Sequence, residues 1–478
     1  MQNRSGQAMA QGGSENQGRG SVIPERLRGL MGGDGLRARA LRGTAFTFLG
    51  FGTQQFLRLL SNLVLTRLLF PEAFGLMALV MVVLTGLEMF SDTGINTAIV
   101  QNRRGDDPAF LNTAWSLQIG RGILLWLLTL ALALPMAQFY DQPQLAALLP
   151  VAGFNMVILG FQSMRLAVAN RHIALGRLTA LELSSQVAGI VVMVLLAWVT
   201  QSVWALLLGT LVGSTAKTVL SHRLLPGPRD RLAWDRAAFS ELFHFGKYIF
   251  IGSMAGFLIN NADRAVLGKF ITIGELGVYN IGFFMASVPL MVGFQLGSRV
   301  LMPVYAKAPP GADPGNLRKI RLARGGLGAA LVGLGLTFAL TGDWLIGVLY
   351  EAEYALAGPI MVLLSLTYLP TLVLNAYSVL FLAVGKSRIF TIYLVVLGSL
   401  QLALLILLVA EFGILGATVA PGLAILLVYP LTAWFAQREG GWDPLLDLGF
   451  LIVIVLGAAG VLGLHDTAVA EVLRGLGG

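Results

Sequence analysis

The sequence predicts an all-α integral membrane protein built as two six-helix lobes. Three observations predict it. Apolar segments long enough to cross a bilayer recur along the chain with short breaks. The charges in those breaks alternate in sign from one to the next. A short pattern at the end of the first segment returns after the seventh, at an offset of about 202 residues. Composition agrees: the 478 residues are 56% hydrophobic and 12% charged, against about 25% charged in a soluble domain.

The composition also excludes several chemistries. There is no cysteine, hence no disulfide framework, thiol nucleophile or cysteine metal site. Four scattered histidines, His172, His222, His244 and His465, argue against a histidine metal cluster, and no cofactor is expected. A net charge of +8 suggests nucleic acid in a soluble protein, but its distribution here fits the positive-inside rule instead.

In chain order, residues 1–20 are rich in Gly, Gln, Ser and Asn and read as a disordered tail, without the apolar region of a secretory signal. Arg26, Arg28, Arg37, Arg39 and Arg42 precede the first span, so 1–43 is expected to be a cytoplasmic segment anchored by anionic lipid. Apolar segments follow at 44–69, 75–100, 113–137, 145–169, 179–199 and 202–222, then 245–270, 277–302, 325–349, 355–384, 387–409 and 412–436. Loops after even-numbered spans hold Arg103, Arg104, Arg171, Arg177, Arg229, Arg318, Arg324, Lys386 and Arg438, among others; those after odd-numbered spans hold Glu72, Asp141, Glu275, Glu351, Glu353 and Glu411. Both ends of the twelve-span unit are therefore expected in the cytoplasm. A shorter apolar stretch, 448–464, either crosses as well or lies in the interface, and crossing is favoured.

The repeat pairs Arg67, Leu68, Leu69 and Ala73, Phe74, Gly75, Leu76 with Lys269, Phe270, Ile271 and Glu275, Leu276, Gly277, Val278. It matches span one to span seven, so both halves enter the membrane in the same orientation. The expected organisation is an N-lobe at 44–223, a cytoplasmic linker at 224–244 containing Pro226 and Pro228, a C-lobe at 245–437, and a C-terminal segment at 438–478. Prolines within spans (Pro135, Pro150, Pro289, Pro359, Pro370, Pro421) fit helices that bend.

The residues LTRLLFPEAFGL at 65–76 and FSDTGINTAIVQ at 90–101 resemble the amino-terminal signature of Wzx-type polysaccharide flippases. In the second half NADRAVLG at 261–268 and LGVYN at 276–280 are similar to the same family's seventh-span pattern. The family belongs to the multidrug/oligosaccharidyl-lipid/polysaccharide (MOP) exporter superfamily, and the first-lobe pattern resembles its exopolysaccharide-exporting, colanic-acid-like branch. The resemblance covers about 44–437 and implies a MATE-like pair of six-helix bundles in the bacterial inner membrane. It further implies that undecaprenyl-diphosphate-linked oligosaccharide is moved from the cytoplasmic to the periplasmic leaflet by alternating access. Polymerase and glycosyltransferases are then possible partners, and the carrier itself is expected to be a monomer.

Against that frame the charged positions carry two readings each. Gln54, Gln55, Arg58, Asn62 and Thr66 form one stripe on the first span, expected to face a water-filled cavity. Arg58 either meets a diphosphate or acidic sugar, for which its planar fork is suited, or pairs internally with Glu88 or Asp92. Glu88, Asp92 and Asn96, four apart, stack on one face of a continuous helix; the two acids either bind a coupling ion or balance Arg58 and Arg121. Gln118 pairs with Arg121, which is flanked by Gly120 and Gly122. Asn260, Asn261, Asp263 and Arg264 crowd span seven, the last two pointing about 100° apart, each towards its own partner. Gln295 and Arg299, four apart, face one way, and Arg299 is equally a topology anchor. Arg67, Lys217 and Lys247 read as anchors. Trp234, Phe239, Phe243 and Tyr305 belong to cytoplasmic connections that touch lipid, a glycosyltransferase, or only solvent. The expected cationic cavity thus comprises Arg58, Asn62, Arg121, Asn260, Arg264 and Arg299, with Glu88, Asp92 and Asp263 for ion coupling or charge balance.

Three other classes compete. A drug/cation antiporter of the same superfamily is disfavoured by the deep Arg58, Arg121 and Arg264. A membrane glycosyltransferase or polymerase needs positioned acids, bases or metal ligands on a sizeable outside loop, and every such loop here is short. A channel is disfavoured by few and asymmetric polar residues.

Overall fold

The computed structural model describes residues 36–465. The predicted amino-terminal tail and much of the basic segment after it lie outside the described residues, as do 466–478. Each of the apolar segments predicted above falls mostly on helix.

The first half contains α1 (Leu36–Thr66), α2 (Pro71–Met89), α3 (Ile95–Gln101), α4 (Pro108–Phe139), α5 (Leu145–Gly160), α6 (Arg165–Arg171), α7 (Leu175–Thr200) and α8 (Val203–Leu224). The second contains α9 (Arg236–Phe270), α10 (Ile273–Ala286), α11 (Val288–Leu296) and α12 (Met302–Lys307), the last two separated by one π turn at Gly297–Leu301. It continues with α13 (Pro314–Leu349), α14 (Ala357–Ala383), α15 (Ser387–Arg438) and α16 (Pro444–Leu464). Among the described residues nine helices are long and apolar enough to cross a membrane, or up to eleven when each of two bent pairs counts as one span. The chain is a multi-pass membrane protein.

Local chemistry explains where helices begin and break. On the side of the basic loops, α4, α9, α13 and α16 each start at an aspartate. The side chains of Asp107, Asp235, Asp313 and Asp443 accept from the amides of Ala109, Ala238, Gly315 and Leu446 at 3.0, 2.7, 2.9 and 3.3 Å. These four acids on the basic side thus serve as N-caps, which satisfy amides a helix start leaves open. Hydrogen bonds from Arg104 and from the Ala109 amide also hold the Asp107 carboxyl below its ordinary range. On the acidic side, Thr272 and Glu275 form a capping box for α10.

Span two is not the continuous helix expected from its hydropathy. It stops at Met89, and Gly94 stands at φ 61° before α3 resumes. The Asp92 carboxylate accepts from the Gly94 amide at 2.8 Å and secures that turn. In α15 the reversal between two predicted spans falls on one residue, Gly413, at φ 50°, ψ −128°. Gly416 then comes back against the Leu408 carbonyl.

The halves meet where the acidic loops gather. Gly75 and Gly277, equivalent in the repeat, bring α2 and α10 together backbone to backbone. Tyr354, fully buried, donates to the Leu69 carbonyl at 2.9 Å, and Tyr140 to that of Ala265 at 3.2 Å. Lys269 pairs with Asp141 at 2.7 Å. A single apolar core, with Leu79, Leu145, Tyr279 and Ile360 among its members, runs across this junction.

The last helix lies parallel to α13 at a constant offset. Arg321 pairs with Asp443 at 2.5 Å, Arg324 with Asp447 at 2.8 Å, and Gly328 abuts Phe450. Further along, Gly457 abuts Leu336, and His465 comes within 3.7 Å of Asp343. Arg324, read above as a loop cation, is only 3% exposed. Tyr305, read above as part of a cytoplasmic connection, is 1% exposed and belongs to the same half's core.

Candidate functional site

A cavity of about 400 Å³ opens between α1 of the first half and α9, α10, α11, α14 and α15 of the second. Of the predicted site residues it collects Arg58, Asn62, Asn260 and Arg264, together with Asn261. Its remaining wall combines Asn280, Ser287, Tyr368, Thr371 and Gln401 with the rings of Phe283, Phe284 and Phe294.

The two arginines are held differently. Arg264 lies 4.2 Å over the Phe283 ring, contacts Asp263 at 3.4 Å, and donates to the Asn260 carbonyl. Asp263 is 3% exposed and takes a second bond from the Tyr279 hydroxyl at 2.8 Å. Asp263 and Arg264 therefore contact each other as well as each holding a partner of its own. The long arginine side chain folds back along α9 to reach its neighbour's carboxylate.

Arg58 sits 5.0 Å from the centre of the Phe284 ring, exposed to the cavity, with no carboxylate at ion-pair distance among the described residues. The internal pairing with Glu88 or Asp92 is not formed; those acids neighbour Arg121 instead. Arg58 and Arg264 line one cavity, and like charges sharing one cavity favour an anion between them. Beside them, Asn62 Oδ1 is buried without a hydrogen-bond partner among the described residues. Native structures leave few such atoms unsatisfied.

Gln54, Gln55 and Thr66 of the α1 stripe are not among the residues lining this cavity. The Gln54 side chain donates to Glu182 on α7 at 2.9 Å and its backbone carbonyl accepts from Gln186 at 3.0 Å, whereas Gln55 reaches the sulfur of the cavity-lining Met291 at 3.5 Å. Arg67 is exposed in the turn after α1.

Arg121 belongs to a different place. It lines two small polar pockets of about 180 and 200 Å³ within the first half, with Glu88 in one, Asp92 in the other, and Asn96 and Gln118 in both. Its Nη2 donates to the Glu88 carbonyl at 2.7 Å and its Nε to Ser91 at 3.1 Å. Because α2 ends before Asp92, the three residues Glu88, Asp92 and Asn96 do not share one helical face. Asp92 is occupied by Gly94 and Ser253, the latter at 2.8 Å. Gln118 caps α5, donating to the carbonyls of Leu159, Gly160 and Gln162. Gly122, but not Gly120, permits a close approach, against Met156.

Arg299 lies in the π turn, and it is not among the residues lining the cavity with Arg58. Asn280, Tyr368, Thr371 and Gln401 went unnoticed in the sequence as site residues. Lone polar residues in apolar segments at 355–384 and 387–409 were the only available signal for the last three.

This fold is that of the MOP-superfamily transporters. It resembles the solved inward closed conformation of the lipid II flippase MurJ with a TM-score of 0.66 at 12% identity, covering 91% of this chain and 98% of that one. An inward-facing multidrug resistance MATE family transporter of the MOP superfamily aligns with a TM-score of 0.65 at 12% identity, covering 81% and 94%. The chain belongs to the polysaccharide biosynthesis protein family, which matches residues 64–357. Its relatives include the lipopolysaccharide biosynthesis protein WzxC of Escherichia coli (strain K12), 25% identical over 57% of this chain and 55% of that protein. Another is the succinoglycan biosynthesis transport protein ExoT of Rhizobium meliloti (strain 1021), 22% identical over 51% and 49%. The chain spans about half the length of the curated relatives it matches.

Proposed function

We propose that this protein is a flippase that moves undecaprenyl-diphosphate-linked oligosaccharide from the cytoplasmic to the periplasmic leaflet of a bacterial inner membrane, by alternating access and without chemical change to its cargo. The observation that carries the reading is the cavity between the halves, where Arg58 and Arg264 face one space and Arg58 has no carboxylate of its own among the described residues. A diphosphate offers both guanidinium groups charge-assisted hydrogen bonds. The asparagines and aromatic rings around them suit the hydroxyls and apolar faces of sugars. The family, and the name of ExoT as a succinoglycan biosynthesis transport protein, point the same way. In this reading the amino terminus and the basic loops lie in the cytoplasm, and the division into two lobes joined through 224–244 follows the repeat.

The test is export in a strain lacking the gene, read as surface polysaccharide. Arg58→Ala should abolish export while the protein still inserts, and Arg58→Lys should keep part of it, because a point charge replaces a bidentate fork. Loss of one charged hydrogen-bonding partner corresponds to roughly ten- to hundredfold weaker head-group binding. Normal export by Arg58→Ala overturns the proposal.

A further inference from the structure

The connection between the halves is fastened along its length. Arg165 donates to the carbonyls of His222, Leu225 and Pro228 at 2.8, 3.1 and 2.9 Å, and Ser163 to Asp230 at 2.6 Å. Alternate amides of the next stretch then bond to α4: Arg231 to Asn112 at 2.9 Å, Ala233 to Ser116 at 3.1 Å, and Asp235 to Thr113 at 2.9 Å. The first turns of α9 continue the attachment. Ala238 and Leu242 are fully buried beside Ile99 and Phe110, and Glu241 bonds Asn102 at 2.9 Å and Arg104 at 3.2 Å.

The inward side of this belt therefore consumes its acids and small apolar residues. Its outward side is aromatic and basic. Leu232, Trp234 and Phe243 are 72%, 59% and 65% exposed. The Trp234 ring lies 4.8 Å from that of Phe239, which in turn stacks 5.9 Å from that of Phe243. Arg229, Arg231 and Arg236 are exposed along the same stretch.

Depth decides what covers it. Asn112, Thr113 and Ser116 belong to the first turns of α4, where hydropathy places that helix's entry into the bilayer. The belt runs on, through a bend of 42°, into the apolar Ile249–Phe270. Exposed tryptophan and phenylalanine beside arginine, at that level, match the water–lipid boundary.

We propose that residues 232–243 are an interfacial anchor on the headgroup layer of an anionic leaflet. The aromatic rings sit at the acyl boundary, and Arg229, Arg231 and Arg236 meet lipid phosphates. Each arginine adds attraction to an acidic surface that a neutral one lacks.

The chain has no cysteine, so a single introduced one is a unique label. Phe243→Cys, Leu232→Cys and the exposed-loop reference Pro226→Cys are spin-labelled in the full chain and reconstituted in phosphatidylcholine vesicles with and without phosphatidylglycerol. Labels at 232 and 243 should show severalfold lower access to a water-soluble nickel relaxant than 226, and more access to oxygen. Changing Arg229, Arg231 and Arg236 together to Gln should raise nickel access in the anionic vesicles. Nickel access at 232 and 243 equal to that at 226 in both vesicle types overturns the anchor and leaves the patch facing water or a protein. Equal protection in both vesicle types, unmoved by the Gln changes, overturns the anionic preference.

Discussion

Gly75 and Gly277 each press against the start of the other's helix. A methyl group on Gly75 would stand 1.9 Å from the Ile273 carbonyl oxygen, and one on Gly277 would stand 1.9 Å from that of Pro71. Pro71 and Ile273 are separated by the same offset as the two glycines, so the contact is a two-fold one, made by the repeat upon itself.

No side chain fits at either glycine without separating α2 from α10. Gly277→Val should open the seam and lower both stability and transport. The check is a double variant, Asp141→Cys with Lys269→Cys, bridged by a short bis-maleimide. Bridging should be efficient with Gly277 present and lost with Gly277→Val; unchanged bridging argues against a tight seam.

Arg324 and Asp447 form a pair in which both side chains are at least nineteen-twentieths enclosed, 2% and 5% exposed. Asp447 also accepts from Tyr377 and Tyr429 at 2.5 and 2.9 Å. Asp447→Leu alone leaves a buried guanidinium uncompensated, which costs about 3–5 kcal/mol. Pairing that change with Arg324→Met should recover much of the loss, as measured by thermal unfolding in detergent.

The two acids Glu88 and Asp92 should behave differently. Asp92 holds the turn at Gly94 and binds Ser253, so Asp92→Asn should lower stability. Glu88 faces a polar pocket with Arg121; Glu88→Gln should preserve the fold and change how flipping in vesicles depends on pH or sodium. If that dependence does not move, Glu88 only balances Arg121.

Gly413 carries a backbone conformation that a Cβ atom disfavours. Gly413→Ala should destabilise the α15 reversal by about 1–3 kcal/mol, visible as a lower unfolding temperature.

Much of this architecture was legible in the sequence because hydropathy and loop charge are properties of each segment by itself. The helices at 108–139 and 203–224 needed nothing more. Side-chain pairing is different, since it depends on which segment arrives opposite. Nothing local to Arg324 says that Asp447, 123 positions later, will draw it into the bundle instead of leaving it in a loop. Span two failed for a subtler reason. Its apolar content continues through Ile95 and Ile99, which masks the turn chemistry of Asp92, Thr93 and Gly94. At the site, Arg58 stood out as a charge in an apolar run, whereas Thr371 and Gln401 look ordinary until α14 and α15 carry them to the same cavity wall.

Finally, the parallel course of α16 and α13 bears on compartments. His465 emerges beside the end of α13 that carries Asp343 and Leu349, while Asp443 shares the end that carries Arg321. In the orientation proposed here, a fluorescent or enzymatic reporter fused just after His465 reads the periplasm, whereas one inserted before Leu36 reads the cytosol. Two fusions on one polypeptide would therefore never see each other.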